Sequence, residues 1–248
     1  MESGFTNKSE MSEEKDQEII DFSYACENED VGKITALFET VCKICDKHYI
    51  NDKMDNAIVN GNLTVVKCFH NLGVNIDHNH VRKAVLYAHI DILDYFLEIN
   101  VDINYFYHNK FTLLHYAAQL GHVDVISRLL YTQKCEVNKK GINKITPIFY
   151  AVESGKIEIV DLLIAYGANY YHVDSFGNNL LHECLYNDNK DIFLRILSLG
   201  VDVNHQNVIG QTPLHIAHKY RKKDLIDLLI KNGADPNIKD SWGQIPQW

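Results

Sequence analysis

The chain has 248 residues, of which 46% are apolar, and no run approaches the roughly 18–20 consecutive apolar residues of a membrane span. The formal net charge is −9, but residues 1–30 hold ten acids and two lysines, so the other 218 residues come to about −1. With no basic excess, the electrostatic footprint of a nucleic-acid binder is missing. The polar, acidic start MESGFTNKSEMSEEKDQE is not expected to act as a secretory signal.

Six scattered cysteines (26, 42, 45, 68, 135 and 184) in such a chain read as reduced thiols of a cytoplasmic protein, with the nucleus as the alternative. The abundance of Asn, Ile, Lys and Tyr is consistent with an AT-rich genome. Residues 1–16 lack apolar periodicity and are expected to form a disordered acidic tail, solvated or touching a basic partner.

From residue 17 onward the chain reads as paired helices. In 17–50, Phe22, Ala25 and Cys26 share one helix face, and Val31, Ile34, Leu37 and Phe38 share the next. The stretch VCKICDKHYIND that follows is longer than a normal connection. Within it, Cys42-x2-Cys45-x2-His48 offers three ligand types in seven residues, whereas zinc needs four; two half-buried thiols at a helix end, with no metal, is the expectation. Residues 51–77 and 78–106 form two shorter pairs, with Asp52 and Asn79 as candidate N-caps. Their alignable alanines, Ala57 and Ala84, are 27 apart, and the missing residues are expected to come from the loop between pairs.

Four closely similar units follow, at 107–140, 141–173, 174–206 and 207–239. Their capped helix starts are Thr112-Leu-Leu-His115-Tyr-Ala117, Thr146-Pro-Ile-Phe-Tyr-Ala151, Asn179-Leu-Leu-His182-Glu-Cys184 and Thr212-Pro-Leu-His215-Ile-Ala217. The caps step by 34, 33 and 33 residues. Pro213 sits where a missing N–H costs nothing, and Gly233 ends the last helix in a left-handed turn. Residues 240–248 open a further unit, with Trp248 able to cover its neighbour; a natural end and a truncation both fit.

A 33-residue period with T-P-L-H-x-A and G-A-D/N signals resembles the ankyrin-repeat family. The resemblance implies an all-α solenoid of about seven stacked helix-turn-helix repeats with β-hairpin-like loops, over residues 17–248. The clipped early repeats resemble those of large DNA viruses and some protists. Departures are local: Glu29, Ala88, Asp188 and Arg221 replace the glycine kept as Gly61, Gly121 and Gly155, and Gln133–Val137 carries an extra residue. A non-glycine there is forced toward positive φ, at about 1 kcal/mol.

The resemblance also assigns roles. His115, His182 and His215 would bridge neighbouring hairpin backbones, which needs both ring nitrogens, while His78, His80, His89, His108 and His122 are expected to be exposed. By position, the partner surface comprises the hairpin tips and the exposed face of each first helix. The tips are His108, Asn109 and Phe111, then Ile142, Asn143 and Ile145, Ser175, Phe176 and Asn178, Val208, Ile209 and Gln211, and Ser241, Trp242 and Gln244. The helices supply Gln119, Leu120, Glu153, Ser154, Tyr186, Asn187, Lys219 and Tyr220. Phe176, Ile209 and Trp242 fall in one column at steps of 33, with Tyr186 and Tyr220 beside it, a residue set typical of protein interfaces rather than of phosphate recognition. The opposing expectation is that these side chains fold onto the neighbouring hairpin. Tyr105, Phe106 and Tyr107 could extend the stripe or plug the shorter third repeat.

No G-x-S-x-G, H-E-x-x-H, P-loop or dinucleotide glycine fingerprint occurs. The expectation is a non-enzyme without cofactor or metal, monomeric, binding a partner protein but neither nucleic acid nor membrane. The cluster His218–Lys223 reads as a solvated turn, then as a patch for an acidic partner, and last as a nuclear-import signal. Narrower readings are a pathogen or viral effector sequestering a host signalling protein in the manner of an NF-κB inhibitor, or a ubiquitin-ligase adaptor. No F-box-like or SOCS-box-like segment follows Asp240, so a stand-alone binder is the expectation unless the chain is truncated.

Overall fold

The computed structural model describes residues 6–107, 110–186 and 189–247, with side chains described from residue 13 onward. Among the described residues the only regular elements are helices, and they fall into two compact units, Met1–Asp102 and Ile103–Trp248.

The first unit holds α1 (Thr6–Glu27), α2 (Val31–Ile44), α3 (Lys47–Val59), α4 (Leu63–Asn71), α5 (His78–Leu86) and α6 (Ile90–Glu98). Helix α1 begins at Thr6, inside the stretch expected to be disordered. The acidic run there is rich in Glu, Lys, Met and Gln, which are good helix formers, so helix needs no apolar period to propagate through it. Phe22, Phe38 and Phe69 bring α1, α2 and α4 together with ring centroids 6.0–6.4 Å apart. Burying a ring of this size contributes about 1.5–3 kcal/mol.

Two of the expected caps move. Helix α3 starts at Lys47 because the Asp46 carboxylate accepts the Tyr49 N–H (2.9 Å), leaving Asp52 inside the helix. Helix α5 is capped by Asp77, which accepts from the Asn79 and His80 N–H groups, so Asn79 lies within the first turn. The long connection expected around VCKICDKHYIND is therefore the end of α2, two linking residues (45–46) and the start of α3. Residues 72–77 alone join α4 to α5. The early repeats are short because this linker is short.

The second unit holds α7 (Leu113–Leu120), α8 (Val123–Tyr131), α9 (Pro147–Glu153), α10 (Ile157–Ala165), α11 (Leu180–Cys184), α12 (Lys190–Ser198), α13 (Pro213–Lys219) and α14 (Lys223–Lys231). Here the pairs are joined by residues 132–146, 166–179 and 199–212, long enough to turn outward and back. Thr112, Thr146, Asn179 and Thr212 occupy the N-cap positions anticipated for them. Gln133 turns left-handed at φ 55°, in the place that Gly167, Gly200 and Gly233 take in the following pairs. Leu113, Leu114, Leu180, Leu181 and Leu214 are fully buried between successive first helices.

The turn inside each pair needs one left-handed residue. Gly61, Gly121 and Gly155 adopt it at φ 73–75°, and Glu29, Ala88 and Arg221 adopt it without being glycine, at φ 56–58°. Asp188 lies outside the described residues. The N-cap of the next pair's second helix ties these turns together: His89 Nε2 bonds the Val59 carbonyl (2.8 Å), Lys156 Nζ donates to the Gly121 carbonyl (2.7 Å), and Asn189 Nδ2 donates to the Gly155 carbonyl (2.6 Å).

Candidate partner-binding surface

The surface of the second unit is built from a five-residue turn repeated at a fixed step. In each copy the first residue's side-chain oxygen holds the turn. Asp174 Oδ1 accepts the N–H groups of Phe176 and Asn178 (both 2.8 Å), Asn207 Oδ1 those of Ile209 and Gln211 (3.2 and 3.0 Å), and Asp240 Oδ1 those of Trp242 and Gln244 (both 2.9 Å). Gly177, Gly210 and Gly243 then take φ 75–76°, which closes the turn. Neighbouring tips are joined edge to edge, Ser175 N–H to the Asn143 carbonyl (2.8 Å), Val208 N–H to Phe176 (2.9 Å) and Ser241 N–H to Ile209 (3.0 Å). The approach is close: a Cβ on Gly210 would meet the Ser241 nitrogen at 2.7 Å.

A histidine ladder fixes these tips onto the helices. The Thr112 N–H donates to His115 Nδ1 (3.1 Å), and His115 Nε2 reaches the Ile145 carbonyl (3.2 Å). His182 repeats the pattern from Asn179 to the Gln211 carbonyl (3.1 Å), and His215 from Thr212 to the Gln244 carbonyl (3.1 Å). Accepting at Nδ1 and donating at Nε2 requires the neutral ring. Burial enforces that state, pushing His115 and His182 down to about 4. The rung is missing where Phe149 replaces histidine, and the Thr146 hydroxyl finds no hydrogen-bond partner among the described residues. His172 and His205 add a second set of links, to the Lys144 (2.8 Å) and Gly177 (2.9 Å) carbonyls.

On this frame Phe176, Ile209 and Trp242 stand 52%, 38% and 65% exposed, each at the same place in successive turns. Val208, Ile142, Tyr186 and Tyr220 are also exposed, and the two tyrosine rings meet edge to face at 5.5 Å. Lys219 is exposed, with its ammonium 5.6 Å above the Tyr220 ring. Asn143 and Glu153 are exposed, as are Ser175, Ser241, Gln244, Gln119 and Leu120, while Ser154 and Ile145 are half-buried.

Other placements differ from expectation. Asn178 and Gln211 are half-buried and occupied with the frame: Asn178 bonds Asp174 and Asn207, and the Gln211 carbonyl takes the His182 bond. Phe111, placed at a tip by position, is buried, because it precedes a capping residue and packs against Tyr116 and Tyr150 (ring centroids 5.1 and 4.9 Å). Tyr107 is buried, whereas Tyr105 and Phe106 are half-exposed. In the first unit His80 is buried rather than exposed, its Nδ1 accepting the Asp77 N–H (3.0 Å) and its Nε2 lying 3.5 Å from Asp55. His78, His89 and His122 are half-buried. His108, Asn109, Asn187 and Trp248 lie outside the described residues.

Two residues beside the stripe went unremarked in the sequence, Tyr150 and Glu183. The groups acting on the half-buried Glu183 carboxyl are other carboxylates: burial, then Glu153 and Asp174, push it up to about 7. Burial, Glu153 and Glu183 push Tyr150 up to about 12, and burial, Tyr220, Glu183 and Asp174 raise Tyr186. Both occupy one repeat position, directly after Phe149 and His182, 33 residues apart.

Burial raises the thiols of Cys26, Cys42, Cys45, Cys135 and Cys184, which keeps them protonated and poorly nucleophilic. Cys42 lies exposed on α2 and Cys45 at its C-cap. Among the described residues no three His, Cys, Asp or Glu side chains are grouped to hold a metal ion, and no helix is long and apolar enough to cross a membrane.

Capped helix pairs, outward hairpins and a histidine ladder define an ankyrin-repeat protein. The family model described as "Ankyrin repeats (3 copies)" matches residues 54–141, 128–207 and 148–240, more than half of the chain, and the chain belongs to that family. The structure is similar to the crystal structure of the ankyrin repeat domain of Bcl-3, a unique member of the IκB protein family. The TM-score is 0.68 at 23% identity, covering 78% of this chain and 91% of that one. No curated protein sequence matches. Ankyrin repeats are generally protein–protein interaction modules, and the fold is typically a non-catalytic scaffold.

Proposed function

We propose that the chain is a monomeric, non-catalytic binding protein that engages a partner protein through the tips and first helices of its second unit. The observation that carries this reading is the exposed column Phe176, Ile209 and Trp242, held on turns whose geometry is fixed by Asp174, Asn207 and Asp240. Large side chains kept in water on a rigid frame lose little freedom on binding, so their burial goes into affinity. Six unpaired cysteines support a reducing compartment, the cytoplasm or nucleus. The likeness to Bcl-3 speaks for the fold alone, so sequestration of a signalling protein and ligase adaptation remain narrower versions of the same reading.

The test is affinity capture from cell lysate with the wild type and the triple variant Phe176→Ala/Ile209→Ala/Trp242→Ala, after both are shown to melt alike. A protein captured only by wild type is the expected result. Unchanged capture by the variant would make the column structural and shift attention to the acidic N-terminal segment and the 218–223 cluster.

A further inference from the structure

The binding surface leaves the Cys42-x2-Cys45 motif unused, and both of its thiols open onto one cleft of the first unit. Cys42 lies in the last turn of α2, and Cys45 is the C-cap, its N–H still bonded to the Val41 carbonyl (2.7 Å). Helical register to that point sets the two Cα atoms about 5 Å apart, inside the roughly 4.4–6.8 Å that a disulfide spans. Side chains three residues apart share a helix face. Both thiols accordingly line a single cleft of about 290 Å³, enclosed by the end of α2, the start of α3 and residues 72–75. Cys42 is exposed there and Cys45 half-buried. A regular helix keeps such Cβ atoms about 5–6 Å apart, so a bond needs them about 1 Å closer. Cys45 has already left the helix at φ −97° and ψ 156°, and with Asp46 it forms the whole α2–α3 link, which is where that shift falls. The third residue of the motif does not join them: His48 turns to Asp52 (3.7 Å) and lines no part of the cleft. Two adjacent thiols without further ligands are short of a zinc site, but they are sufficient for exchange with a disulfide.

We propose that Cys42 and Cys45 form a reversible thiol–disulfide exchange site for a small-molecule disulfide such as glutathione disulfide, with Cys42 attacking and Cys45 resolving. The Cys42 thiolate attacks one sulfur of the small disulfide and expels one thiolate. The Cys45 thiolate then attacks the Cys42 sulfur and expels the second. Two protein thiols give up two electrons and two protons, and the small disulfide becomes two thiols. Only Lys43 and Ile44 separate the pair, so little chain entropy is lost on closing the ring. The shift that closure demands keeps the bond easy to reduce, which makes the site reversible. Burial, then Cys45, raises the Cys42 thiol, and burial, then Asp46, raises Cys45. Attack is therefore slow near neutral pH and speeds up as the pH rises.

The test equilibrates the full chain in mixtures of reduced and oxidised glutathione, followed by acid quenching, alkylation and mass spectrometry of tryptic peptides. Cleavage after Lys43 separates the two cysteines, so a bond between them shows as a joined peptide pair. The expected product is Cys42 joined to Cys45, with Cys26, Cys68, Cys135 and Cys184 alkylated. Diluting both forms of glutathione about tenfold at constant ratio should raise the quotient of oxidised to reduced protein about tenfold, because closure releases two thiols for each disulfide consumed. Cys45→Ser should instead hold a glutathione adduct on Cys42 at a level that dilution leaves unchanged, and Cys42→Ser should leave Cys45 reduced. A wild-type pair that stays reduced in excess glutathione disulfide would overturn the proposal. So would a lasting adduct on wild-type Cys42, or a disulfide formed elsewhere, such as Cys26 to Cys68.

Discussion

Mild acid should unfold this protein through its buried histidines, and a single carboxylate should work against them. His115 and His182 are fully buried, and burial holds each ring at about 4 instead of the ordinary 6.5. In that interval the unfolded chain binds the proton more readily than the folded one. The stability each ring supplies is therefore complete above 6.5 and lost as the pH falls toward 4. At about 1.4 kcal/mol per pH unit, each histidine accounts for up to about 3 kcal/mol. His80 and His218, also lowered by burial, act in the same direction. Glu183 acts oppositely: raised from 4.5 to about 7, its folded form holds the proton more tightly, so its contribution is present at low pH and lost as the pH rises through that window. Its partial exposure screens this to about 1–2 kcal/mol. The balance is a net loss of about 4 kcal/mol between neutral pH and about pH 4.5. Urea titrations followed by circular dichroism across this range would measure it. Glu183→Gln should raise stability near pH 7.5 and steepen the fall toward acid. His182→Gln should lower stability at neutral pH and flatten that fall. Three parallel curves would refute the argument, since they would mean that neither group changes its proton affinity on folding.

Three further outcomes follow from the frame. Gly210→Ala should cost about 2–3 kcal/mol in chemical denaturation, because its Cβ would press the Ser241 backbone. Gly200→Ala, with similar φ but nothing within 4 Å, should cost only about 1 kcal/mol. Ala88→Gly should raise the melting temperature by relieving φ 56°, a gain of about 0.5–1 kcal/mol; a lower value would show the turn to be unstrained. Asn204→Ala should lose about 1–2 kcal/mol, since its side chain donates to the Gly233 carbonyl (3.0 Å) and accepts the Asp235 N–H (2.8 Å). Asn237→Ala, whose bonds stay within its own turn, serves as the control.

The second unit was legible because its fold rests on short-range chemistry: a capping hydroxyl or amide, a proline at the first helical position, a histidine three residues after the cap and a closing glycine all lie close together in the chain. The column Phe176, Ile209 and Trp242 followed from the 33-residue step once the family resemblance had placed the hairpin tips. The first unit was less legible because its short linkers let Asp46 and Asp77 cap longer helices, so aligning alanines misplaced the caps and left His80 on the surface. Asn104, Asn138 and Asn204 recur at repeat spacing and clamp successive loops, a pattern visible in the sequence but indistinguishable there from loop polarity. Phe111 shows the limit of position alone, since one residue separates a tip from a buried site. Glu183 was hidden for another reason: its character depends on Glu153 and Asp174, which only the stacking of repeats brings near.

Site-specific photocrosslinking tests the binding surface most directly. A benzophenone side chain would replace Ile209 in one variant and Tyr131 in another. Tyr131 is 76% exposed at the end of α8, a second helix of its pair. Irradiated in cell lysate, the Ile209 variant should form a discrete covalent adduct with a partner protein, and the Tyr131 variant should not. An adduct at Tyr131 with none at Ile209 would contradict the account and place the working surface on the outer helices.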